Sequence, residues 1–292
     1  MFTGSAVALV TPFLDDQLNI PVLQDLLRFH LAHGNDAIVV CGTTGECPTL
    51  SREERQTLLS TTLDTVQGEV PVIMGTGCYN TAEAIQNTRD AENIGADGVL
   101  VVTPYYNKCS QSGALLHYQA IAAATKLPII PYNVPSRTGF NLLPATLAQL
   151  AKLDNIVAVK EATGNIAQVA EVARLCGEDL IIYSGCDEIV VPLLSLGGQG
   201  VISTGANVAP RQFSRMVHAF LEGNIVESRN LQLHLKPLID ALFLDVNPIC
   251  VKPAVAMLGF DVGPPRLPLS APSTEHLDIV RSMVEAICST NE

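Results

Sequence analysis

Pro128-Ile129-Ile130-Pro131-Tyr132 and Asn155-Ile156-Val157-Ala158-Val159-Lys160 are two short apolar runs, each closed by a side chain with useful chemistry. Neither alternates with polar residues, and both are rich in Ile and Val, which is how strands buried on both faces read. Tyr132 and Lys160 lie 28 positions apart, the span of one strand-helix-strand unit. In a parallel sheet that spacing sets the two side chains next to each other at one edge. A lysine in that place, drained of water, is suited to forming an imine with a carbonyl compound. A neighbouring phenol can move the protons. Taken alone, Lys160 would read more plainly as a solvated lysine ending a strand.

Six further runs of the same kind occur at Ser5–Val10, Asp36–Cys41, Val70–Gly75, Asp97–Thr103, Leu180–Ser184 and Gln199–Ser203, making eight in all. Helical periodicity fills the gaps. Ile20–His33 carries apolar residues at helical spacing and stops at Gly34, Thr81–Ile94 is capped by Asn80 or Thr81 and closes at Gly95, and Pro144 starts a helix over Leu143–Lys152. Eight strands alternating with helices predict an α/β fold, a (β/α)8 TIM barrel, over residues 1–224. A doubly wound sheet is the rival, but Gly75-Thr-Gly77 lacks the third glycine of a dinucleotide fingerprint. After Gly223 the strand pattern ends. Three helical stretches, 225–244, 248–258 and 273–289, predict a C-terminal helical domain over 225–292.

The 292 residues suffice for a sizeable core, and 48% hydrophobic against 16% charged residues fits a folded globule. A net charge of −12 with no basic stripe argues against nucleic acid as a partner. Low charge with a mean hydropathy of +0.29 hints that another subunit covers some apolar surface. No run approaches the roughly 20 apolar residues of a membrane helix. No basic, apolar leader opens the chain, and the eight cysteines are scattered without a Cys-x-x-Cys pair. Reduced thiols in the cytoplasm are the expectation.

In a barrel the catalytic groups come from the C-terminal ends of the strands. Those positions read Thr11, Thr43-Thr44, Thr103 with Tyr105-Tyr106, Tyr132, Arg137, Lys160, Ser184-Gly185 and Ser203-Thr204. The ring holds hydroxyls around one amine and one guanidinium, without a carboxylate pair, a histidine cluster or metal-ligand spacing. Such a set points to proton shuttling around a covalent imine, with no metal and no cofactor. Arg137, five residues past Tyr132, offers a planar fork for a substrate carboxylate. Plainer readings stand beside these. Thr43 and Thr44 could cap the next helix, Tyr105 and Tyr106 could pack an interface, and Arg137 could be a surface arginine. Glu161 should face the other side of its strand. Lys252 is a second candidate for a buried lysine, expected in the helical region away from the strand ends. Leu196-Gly-Gly-Gln-Gly200 precedes the eighth strand and so belongs to the wrong end of the barrel for a phosphate site.

The motifs Gly42-Thr-Thr-Gly-Glu46, Tyr105-Tyr-Asn107, Tyr132-Asn-Val-Pro-Ser-Arg-Thr-Gly139 and Val159-Lys-Glu-Ala-Thr-Gly164 resemble the dihydrodipicolinate synthase family. The likeness runs in register from Met1 to Asn247-Pro248. The first motif marks the wider pyruvate-dependent aldolase and lyase superfamily, and the Ser136-Arg137 element is the specific part. The resemblance implies that Lys160 forms an imine with pyruvate, whose enamine attacks L-aspartate 4-semialdehyde. It further implies that Tyr132, Thr43 and Tyr106 relay protons, with Tyr106 reaching in from a neighbouring subunit. Arg137 would hold the semialdehyde carboxylate, while Thr44 and the backbone at Gly185 and Ile202 would contact pyruvate. A homotetramer, a dimer of dimers, acting in diaminopimelate and lysine synthesis is the expected assembly and pathway. In lysine-inhibited members an effector site lies at a dimer interface, and Glu83 and Tyr105 match it. Arg52, Arg55 and Tyr79 depart from it, and two cations facing lysine's ammonium groups would make inhibition weak or absent.

Overall fold

The computed structural model describes residues 1–289. All eight expected strands are present: β1 (Gly4–Ala8), β2 (Ala37–Val40), β3 (Val72–Gly75), β4 (Gly98–Val102), β5 (Ile129–Asn133), β6 (Ala158–Glu161), β7 (Ile181–Ser184) and β8 (Gly200–Ser203). Each pairs in parallel with its chain neighbours, and β8 closes on β1. The chain therefore folds as a (β/α)8 barrel. The helices between the strands are α1 (Ile20–Ala32), α2 (Arg52–Val66), α3 (Thr81–Ile94), α4 (Gln111–Ala122), α5 (Pro144–Leu150), α6 (Ile166–Cys176) and α7 (Val190–Leu194), and α8 (Pro210–Leu221) follows the last strand.

Strand alternation divides the apolar residues into two sets. Ala6, Val39, Ile73, Leu100, Ile130 and Ile202 meet on the barrel axis, whereas Val7, Ile38, Val99 and Val159 point outward to the helices. Ala158 belongs to the inner set. Lys160, two residues on, shares its parity and faces the axis, while Glu161 faces out. Tyr183 stacks on Phe2 inside the barrel, with centroids 4.3 Å apart. The Leu196–Gly200 stretch has a packing role, because a Cβ at Gly200 would lie 2.1 Å from the Gly4 carbonyl oxygen where β8 meets β1.

The three expected C-terminal helices form as α9 (Ile225–Leu242), α10 (Val251–Met257) and α11 (Thr274–Ser289). Leu235, Leu238, Val255 and Val280 join the same core that lies between the strands and α1–α8. No helix among the described residues is long and apolar enough to cross a membrane. Lys252 of α10 corrects the expectation that it lies away from the strand ends. Its amine meets Glu46, in the loop after β2, at 2.8 Å, and both side chains are fully buried.

Candidate active site

Register fixes the centre. Tyr132 and Lys160 are partners across β5 and β6, and the Lys160 amine lies 4.5 Å from the centroid of the Tyr132 ring. Lys160 is 6% exposed. Burial lowers its pKa to about 8; the Asp187 carboxylate holds it up, and Arg137 pushes it further down. The Tyr132 phenol moves the other way, raised to about 12 chiefly by burial, with Arg137 and a hydrogen bond from Thr43 opposing. At neutral pH the pair therefore offers a lysine that sheds its proton readily beside a phenol that keeps its own.

The loop after β7 packs on the lysine stem. A Cβ at Gly185 would come within 3.0 Å of Lys160 Cε and 2.7 Å of the Ala162 Cβ, so this position needs glycine. The Gly185 N–H donates to the Glu161 carbonyl at 2.8 Å. Ile202 is buried in the inner barrel set. Glu161 itself turns outward, where Asn133 Nδ2 donates to it at 3.0 Å and the Thr163 N–H at 2.8 Å.

The two threonines of Gly42–Gly45 do not cap α2, because Ser51 does so in a full capping box with Glu54. Thr44 Oγ1 instead lies 3.2 Å from Thr204 Oγ1 and accepts from Asn247 Nδ2 at 2.9 Å. The Asn247 carbonyl accepts from Arg137 Nη2 at 3.1 Å. Asn247 thus ties the Thr44 hydroxyl to the Arg137 guanidinium, a link that the sequence reading missed. Thr43, Tyr132 and Arg137 line a cavity of about 230 Å³. Lys160 does not line this cavity; it lies over the Tyr132 ring, which does.

The same cavity is walled by Cys47, Arg55, Glu83 and Tyr105. Arg52 is not among its wall residues; it forms a two-pronged ion pair with Asp90 at 2.5 and 2.7 Å. Of the two arginines expected at the effector site, Arg55 alone lines this cavity, and its Nη2 donates to the Cys47 carbonyl at 2.9 Å. Tyr79 packs edge-on against the Tyr105 ring, with centroids 5.2 Å apart. Tyr106 is not brought to Lys160 within the chain. It is 89% exposed and held in the left-handed region at φ +66.

Asp187, a second residue that the sequence reading missed, is 2% exposed. Its Oδ2 accepts from the Gly205 N–H at 2.7 Å. Burial raises its pKa to about 6, against the pull of Gly205, Ser203 and Lys160. Nothing in Gly185-Cys186-Asp187-Glu188 marks this acid as the buried one.

A barrel whose C-terminal mouth holds a buried amine against a phenol, with a guanidinium at the rim, has the groups that an imine-forming lyase uses. Family comparison agrees. The model of the Dihydrodipicolinate synthetase family matches residues 1–287, and the chain belongs to that family. The chain is 49% identical over 285 residues to a 4-hydroxy-tetrahydrodipicolinate synthase of Thermoanaerobacter sp. (strain X514), covering 97% of this chain and 96% of that protein. It superimposes on the crystal structure of dihydrodipicolinate synthase from Thermotoga maritima with a TM-score of 0.97 at 42% identity, covering 99% of both chains. The chloride-inhibited dihydrodipicolinate synthase from Acinetobacter baumannii, complexed with pyruvate, gives a TM-score of 0.97 at 37% identity, also covering 99% of both.

Proposed function

We propose that this lyase is a 4-hydroxy-tetrahydrodipicolinate synthase that condenses pyruvate with L-aspartate 4-semialdehyde through an imine at Lys160. The observation that carries the residue assignment is the β5–β6 register, which sets Tyr132 against Lys160. With a pKa of about 8, roughly one Lys160 in ten is neutral at pH 7, against about one in three thousand for an ordinary lysine. The neutral amine adds to the keto carbon of pyruvate. Tyr132 gives a proton to the carbinolamine oxygen, water leaves, and an iminium forms. Loss of a methyl proton gives the enamine, whose carbon attacks the aldehyde while the new alkoxide is protonated. The substrate's own amine then displaces Lys160, which closes the ring and frees the enzyme.

Thr43, within hydrogen-bonding reach of Tyr132, relays protons onward. Arg137, anchored on the Asn247 carbonyl, holds the semialdehyde carboxylate. Thr44 and the backbone at Gly185 and Ile202 receive pyruvate, the compound bound in the Acinetobacter baumannii structure. Tyr106 completes the relay of a neighbouring subunit in a homo-oligomer, a tetramer built as a dimer of dimers. The reaction serves diaminopimelate and lysine synthesis in the cytoplasm.

Borohydride reduction in the presence of pyruvate tests the reading. A stable adduct at Lys160, located by peptide mass spectrometry, is expected. Labelling at another lysine, or none, would overturn it. A sister lyase acting on keto-deoxy sugar acids is the alternative enzyme, and an assay with both substrate pairs separates the two. A barrel that merely binds a ketoacid would turn over neither pair.

A further inference from the structure

The iminium must keep its positive charge to draw electrons from the pyruvate methyl carbon, and a buried cation needs a fixed anion nearby. The charged and titratable groups that bear on Lys160 are Tyr132 from β5, Arg137 from the helical turn beyond it, and Cys186 and Asp187 from the loop after β7. Burial pushes the Cys186 thiol up to about 12, so it stays neutral. Arg137 adds a second cation. Glu161, next to the lysine in sequence, is spent on Asn133, Thr163 and Gln168. Glu188 is exposed and acts on Asp187 from outside. Asp187 is thus the one anion in this set that bears directly on the lysine.

The fold holds Asp187 rigidly. Oδ2 accepts from the Gly205 N–H at 2.7 Å, beyond β8, and the Ser203 hydroxyl also contacts the carboxylate. Gln232 of α9 donates to the Asp187 carbonyl at 2.9 Å. Oδ1 is buried and makes no hydrogen bond among the described residues. A carboxylate oxygen left in that state is costly unless a charge answers it. The loop that carries it lies against Lys160, since a Cβ at Gly185 would touch Lys160 Cε at 3.0 Å.

We propose that Asp187 is a positioning residue, the preorganised counter-charge of the cation that forms at Lys160. This rests on the imine reading above. The carboxylate is set before the reaction begins, so it stabilises the iminium without reorganising. Before pyruvate binds, the same charge keeps desolvation from lowering the lysine pKa further.

The test is Asp187→Asn, which preserves size and an acceptor for the Gly205 N–H while deleting the charge. In kcat/KM for pyruvate, the acid limb of the wild type reports Lys160 losing its proton near pH 8. Removing a neighbouring anion destabilises the ammonium, so the limb should move toward lower pH by about one unit or more. At a pH above both limbs, kcat should fall at least tenfold, because the iminium has lost its partner. A limb that stays in place while activity falls equally at every pH would mark a structural role and overturn the proposal. If the variant does not fold, difference infrared spectroscopy on the wild type decides. At pH 8, where Asp187 is already ionised, pyruvate should form the iminium without a protonated-carboxyl band appearing, and the growth of such a band would overturn the proposal. Borohydride trapping on the wild type separates the two levels: no adduct at Lys160 removes the imine reading and this inference with it, whereas normal trapping with an unmoved limb removes the counter-charge alone.

Discussion

Replacing Lys252 by methionine strips the cation from a carboxylate that has no solvent to turn to. The Lys252 amine lies 2.8 Å from Glu46 Oε1, with side-chain exposures of 0% and 1%. It also donates to the Pro264 carbonyl at 3.0 Å, and Glu46 Oε2 accepts from the Arg266 N–H at 2.8 Å. Removing one partner of a buried pair costs about 3–5 kcal/mol, because the other charge is left uncompensated. An exposed pair such as Arg28–Asp25, 62% exposed on each side, contributes about 0–1 kcal/mol. For a chain of this size each kcal/mol lowers Tm by roughly 2 °C, so Lys252→Met should melt about 6–10 °C below the wild type. The double variant Lys252→Met, Glu46→Gln removes both charges, keeps an acceptor for Arg266, and should recover more than half of the loss. The consequence reaches the active site. Glu46 takes φ +57 at the end of Gly42–Glu46, the loop that carries Thr43 and Thr44. Loosening it should lower kcat in the single variant and restore it in the double. Scanning calorimetry with steady-state assays on all three proteins checks this. A single variant melting within about 2 °C of the wild type, or a double no better than the single, would refute the reasoning.

Arg137→Ala should raise KM for the semialdehyde by roughly 10- to 100-fold, the worth of a charged hydrogen bond, and leave KM for pyruvate nearly unchanged. Equal effects on both substrates would take Arg137 off the semialdehyde. Tyr106→Phe should lower turnover by about 10²–10⁴-fold at unchanged circular dichroism, and near-wild-type turnover would remove it from the relay. L-Lysine should inhibit weakly or not at all, because Arg55 faces the cavity beside Glu83 and Tyr105. With Arg52 neutralised by Asp90, the penalty falls to that of one like charge, about 1 kcal/mol or several-fold in affinity near solvent. Strong inhibition at submillimolar L-lysine in the coupled assay would show the charge argument to be mistaken.

What the sequence disclosed and what it withheld divide along the length scale of the interactions. Each strand of the barrel is buried on both faces, so runs such as Val99–Val102 announce themselves without reference to the rest of the chain. The Tyr132–Lys160 pair is also local in this sense, because one strand-helix-strand unit fixes its register. The Arg137 fork could be anticipated from its distance to Tyr132, but not its anchor on Asn247, which lies 110 residues further on. The surroundings of Lys252 are hidden for the same reason, since its partner Glu46 stands 206 residues earlier. Asp187 carries no local mark, because an aspartate in a short loop is exposed by default, and the groups that hold it, Gly205 after the next strand and Gln232 of α9, come from elsewhere. Lys160 and Tyr132, proposed to form the imine and to move its protons, therefore sit on strands and can be read from periodicity. Those proposed to set their charge and orientation depend on contacts between loops and the C-terminal helices. A barrel can present the same lysine and tyrosine in many relatives while such contacts differ, so variants at Asp187, Asn247 and Lys252, rather than at Lys160, will probe what is particular to this chain.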